Sequence, residues 1–200
     1  MITKTKQRKI EPIIFLMSAL VILSFIIGFS LGDSSKENTL LKTILIADAN
    51  LAEVSIDGQW ADQYYAEASF SYENGDYNLV ESNCRMAREY YFKESQGYKK
   101  IKAELKATGI EDELIVLSIS MLNNLIEISN NMFEACEHFE SAARYYDTYY
   151  NTNVPYNDMS YDMGGEEIGM MNEKIRSHDK AIERYNNLLA EYKVELELRI

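Results

Sequence analysis

Between residues 36 and 199, apolar positions recur in alternating steps of three and four. That spacing belongs to a helix burying one narrow stripe along its whole length. The first stripe runs from Leu40 to Tyr72 and is broken only at Gly58; the second runs from Tyr77 to Leu105 and is broken only at Glu94. The third runs from Leu114 to Tyr149, with Ile115, Ile119, Leu122, Ile126, Phe133 and Cys136 beside it. A stripe of that width needs more than one neighbour, as in a bundle. The fourth consists of Ile168, Met171, Ile175, His178, Ile182, Tyr185, Leu189, Tyr192 and Leu196.

The breaks between stripes are sparse. The chain has two prolines and nine glycines in 200 residues, which favours a few long elements. Asp57-Gly58 has the composition of a turn, but the phase of the first stripe survives it, so one helix over about 36–73 is expected. Glu73-Asn74-Gly75-Asp76 ends that helix and caps the next, expected over about 77–107. Thr108-Gly109 closes the second, and Glu111, Asp112 and Glu113 fill the first turn of a third over about 111–150. Residues 151–165, with Pro155 and two glycines, read as a loop before a fourth helix over about 166–199. Short connections force antiparallel neighbours, so the expected fold is all-α, an antiparallel four-helix bundle of long helices.

Ahead of the bundle lies a segment of a different kind. No charge occurs between Glu11 and Asp33, and the apolar run from Ile13 to Gly32 spans roughly 30 Å as a helix, the thickness of a bilayer core. Residues 1–12 carry Lys4, Lys6, Arg8 and Lys9 against Glu11, while the whole chain has a net charge of −12. Cations before the span and acids after it predict a transmembrane signal anchor at 13–32. The basic tail 1–12 then lies inside, and residues 33–200 lie outside as the bundle domain. The alternative is a cleaved leader with its cut near Asp33, which also exports the body. The acidic body excludes nucleic acid as a partner class.

The stretch YYAEASFSYENGDYNLVESNCRMAREYY, residues 64–91, carries Ala68, Gly75, Tyr77 and Ala87 at small and aromatic packing positions. It resembles one tetratricopeptide helix hairpin, with Val80 and Cys84 in place of the usual alanine and aromatic. No second copy follows at a 34-residue period, and a solenoid needs about three repeats. The resemblance implies a peptide-binding adaptor.

Candidate chemistry is thin. The Glu-x-x-His pairs of di-iron bundles are missing: Ala135 and Ile175 stand three residues before His138 and His178, the only histidines. Glu134 and His138, four apart, provide two ligands and not a site. Asp158, Asp162, Glu166 and Glu167 lack the spacing of an EF-hand loop. No nucleophile elbow, phosphate loop or dinucleotide fingerprint occurs, so no cofactor, metal or catalytic residue is assigned. In an antiparallel hairpin with its turn near 109, residue 84 lies opposite about 134. Cys84 and Cys136 are therefore candidates for a disulfide in an oxidising compartment; otherwise they are two small buried residues. Fifteen tyrosines remain. Tyr65, Tyr72, Tyr77 and Tyr91 are expected to pack in the core or at its edge. The others are open to contact with a protein partner. The expectation is a membrane-anchored interaction or structural module with a protein partner, the alternatives being the adaptor and a ligand- or metal-binding bundle.

Overall fold

The computed structural model describes residues 35–151 and 158–198. They form four helices: α1 (Ser35–Glu73), α2 (Tyr77–Ala107), α3 (Glu113–Asn151) and α4 (Asp158–Glu197). No strand occurs among the described residues. The segment 13–32 lies outside them, and no helix among them is long and apolar enough to cross a membrane.

The turns follow from local chemistry. Gly75 and Gly109 both take positive φ, 74° and 63°, where a side chain would strain the backbone. Asp76 caps α2 by accepting from the Leu79 N–H at 3.2 Å. Asp112 does the same for α3 at the Leu114 N–H, 2.9 Å, so Asp112 is the cap and Glu113 opens the helix, not residue 111.

α4 departs further from expectation. It begins at Asp158, so the segment expected as a loop to 165 is helical through Gly164 and Gly165. Gly164 is buried against the Tyr146 ring, and a Cβ there would lie 2.9 Å from two ring carbons. Packing on α3 thus outweighs the poor helix propensity of glycine. Asp158, Asp162, Glu166 and Glu167 are consequently strung along a helix.

α1 packs on α2, α2 on α3 and α3 on α4. With helices of 39, 31, 39 and 40 residues, this is an antiparallel bundle-like arrangement and not a stack of short repeat helices. α1 and α4 close the bundle loosely. No Cα of one comes within 8 Å of a Cα of the other, and long side chains span the gap. Tyr65 Oη approaches Met171 Sδ at 3.9 Å. Tyr185 and Tyr192 of α4 share the lining of a cavity of about 30 Å³ with Ile44, Ala47 and Leu51 of α1. On α4, Tyr185, Leu189, Tyr192 and Leu196 are buried as expected. Ile168, Met171, Ile175 and Ile182 are only half-buried, and Ala181, beside the stripe, is fully buried instead. The 3.6-residue turn drifts against a seven-residue repeat, so the buried face moves round the helix by one position.

The core is in two parts. One lies at the end holding the α1 N-terminus and the Gly109 turn, around Leu40, Ile44, Leu105, Leu114, Leu122 and Leu189. The other lies at the Gly75 end, around Ala61, Ala68, Val80, Cys84, Cys136 and Phe139. On the α2–α3 face, Glu140 is buried and accepts from Arg88 Nη1 at 2.9 Å and from Arg144.

Candidate functional site

Between the two cores lies a polar layer, built from the two positions that broke the sequence pattern. Gly58 of α1 faces Glu94 of α2. A Cβ at 58 would sit 2.1 Å from Glu94 Oε1, so the missing side chain is what admits the carboxyl group. Glu94 is 9% exposed. Tyr98 Oη donates to its Oε1 at 2.8 Å. Ser129 Oγ lies 2.8 Å from its Oε2 and 3.0 Å from the Leu125 carbonyl. A serine hydroxyl has one proton to give, so an ionised Glu94 and the Leu125 carbonyl compete for it. Protonated Glu94 removes the conflict: its O–H donates to Ser129 Oγ, and Ser129 donates to Leu125.

Electrostatics agree with that inventory. Burial raises Glu94 to about 7, opposed by the hydrogen bonds from Ser129 and Tyr98 and reinforced by the charges of Asp62 and Asp57. Asp62 accepts from Tyr91 Oη at 2.6 Å. Burial raises Asp62 too, while Tyr91 and His178 pull it down. His178 of α4 is lowered by burial, with Asp179 and Asp62 opposing. Ser95 Oγ donates to Asn130 Oδ1 at 2.8 Å on the α3 side of the layer.

The other sequence candidates are separated. His138 Nδ1 meets Glu167 Oε2 at 2.7 Å, while Glu134 pairs with Lys174. Each therefore has its own partner on α4, and the two do not converge. No group of three potential metal ligands occurs among the described residues. Cys84 and Cys136 are fully buried free thiols in one core cluster. Burial pushes both well up from the ordinary thiol value, which disfavours the thiolate.

One group of tyrosines gathers at the Gly75 end, apart from Tyr98, Tyr185 and Tyr192 in the other core. Tyr91 is buried, and Tyr65, Tyr72 and Tyr77 are half-buried. Tyr72 stands 5.3 Å from Phe139 and 5.9 Å from Tyr146; Tyr77 stacks on Tyr150 at 5.9 Å. Tyr72, Tyr77, Tyr146 and Tyr150 fill the end of the bundle where α2 and α4 begin.

A second pattern, missed in the sequence, runs along the outside of α1. Ile46, Ala49, Glu53, Ile56, Trp60, Gln63, Glu67 and Phe70 follow the same three-four spacing as the buried stripe, on the opposite side of the helix. All eight are exposed, with Ile46, Ile56, Trp60 and Phe70 at 45–68%. Their spacing was in the sequence, but only once the inner stripe has been placed against the bundle does the outer one stand without a neighbour among the described residues. No protein-family model, curated protein or solved structure matches the chain.

Proposed function

We propose that this chain is a helical protein-interaction module held at the outer face of a membrane by residues 13–32. The observation that carries the interaction reading is the outer stripe of α1. Ile56 and Trp60 adjoin at its centre, with Ile46 and Phe70 ten residues off on either side of the same face, and exposed large apolar residues aligned in this way favour a binding face. The polar layer supports a module that packs rather than reacts: protonated Glu94, Ser129 and Tyr98 bond to one another inside the bundle. The anchor reading rests on the uncharged run from Ile13 to Gly32 and the cations before it.

A photo-crosslinking residue in place of Trp60, with the full chain in intact cells, tests both parts. The expected result is covalent adducts at position 60 and none from the same residue at Glu183, an exposed site on α4. Protease added outside should then remove the bundle. No adducts at 60 would overturn the interaction reading, and protection until lysis would overturn the topology.

A further inference from the structure

We propose that the outer stripe of α1 pairs antiparallel with the same stripe of a second copy, about a two-fold axis level with residue 58. This rests on the reading of the chain as an interaction module and names its partner.

The stripe is symmetric about that point. Counting from 58, its positions fall at two, five, nine and twelve residues on either side. Antiparallel pairing about the axis therefore sets Ile56 opposite Trp60 and Ile46 opposite Phe70, apolar on apolar. It sets Glu53 opposite Gln63, and Glu67 opposite Ala49, so no carboxylate meets another. Gln63 is a neutral donor, already giving a hydrogen bond to its own Glu67 at 3.0 Å. Parallel pairing in register would instead place Glu53 on Glu53 and Glu67 on Glu67, like charges in one seam. A two-fold contact of this kind is self-complementary and closes at a dimer. The paired stretch, 46–70, is roughly 36 Å long at about 1.5 Å per residue. Because the two Ser35 ends point in opposite directions, such a pair lies along a bilayer and not upright on it.

The competing occupant is a basic amphipathic helix. Residues 43–84 contain no lysine or arginine, so the face offers no cation of its own to Glu53 and Glu67.

The test uses full-length chain in detergent micelles. Copies carrying Ile46→Cys are mixed with differently tagged copies carrying Phe70→Cys and mildly oxidised. The native thiols at Cys84 and Cys136 are fully buried and contribute little background. Mixed 46–70 crosslinks should exceed 46–46 and 70–70 crosslinks by at least about tenfold. The double change Ile56→Glu with Trp60→Glu should raise the dimer Kd by about 100-fold or more, the scale of charges forced into an apolar seam. Helicity should be unchanged, since both side chains are on the surface. Predominant 46–46 and 70–70 crosslinks would overturn the proposal. So would a chain that stays monomeric at about 100 µM, far above the range of specific complexes. If a lysine-rich amphipathic peptide protects the introduced thiols of that monomer from alkylation, self-pairing fails and the interaction reading stands. If neither copy nor peptide protects them, both fail.

Discussion

Tyr185→Ala is expected to lower the unfolding free energy by about 3–5 kcal/mol, the range for removing a buried aromatic. Tyr185 is 1% exposed and spans the gap that α1 and α4 leave between their backbones, where a cavity of about 30 Å³ already lies beside it. The wide spacing leaves the site little means of collapsing onto a smaller side chain, so the full cavity cost should be felt. Leu189→Ala, on the same face, should cost about 2–5 kcal/mol. Glu191→Ala, exposed and off the stripe, should cost less than about 0.5 kcal/mol. Chemical denaturation of the three variants measures the order. A cost for Tyr185→Ala no larger than that for Glu191→Ala would mean that α4 is not part of the folded core.

The second large effect concerns pH. Glu94 has a folded-state value of about 7 against 4.5 for an ordinary glutamate, so the folded bundle holds this proton more tightly than the unfolded chain does. Its contribution is fully present below about pH 4.5 and is lost as pH rises through about 7, which amounts to about 3 kcal/mol. Asp62, also raised, acts in the same direction. His178, lowered, acts in the opposite direction, since charging it below its ordinary value of 6.5 costs the folded state. Glu94→Gln separates these contributions. The amide keeps the geometry of the protonated acid, accepting from Tyr98 and donating to Ser129, but cannot ionise. At pH 8 this variant should therefore be more stable than the parent by about 3 kcal/mol, and the gap should close on titration to pH 4.5. A gap that does not change with pH would refute the assignment. Gly58→Ala gives the converse result. Although alanine favours the helix by about 1 kcal/mol, its Cβ takes the space of Glu94 Oε1, so the net effect should be destabilising.

The sequence alone determined the helices and their order, because a seven-residue apolar repeat is a property of single helices and needs no partner to be seen. It placed α1 and α2 to within a residue, since glycine at a left-handed turn and aspartate at a cap act through their own backbone. It misplaced the start of α4, because the helical state of Gly164 comes from Tyr146, eighteen positions earlier in the chain and on another helix. It marked Gly58 and Glu94 as separate faults in two stripes. Only the tertiary structure, by laying α1 against α2, made them one site, with the missing side chain of one making room for the carboxyl group of the other. The same packing decided which of the two stripes on α1 is covered. Periodicity shows that a face is apolar; which face meets a neighbour depends on how four helices share one core.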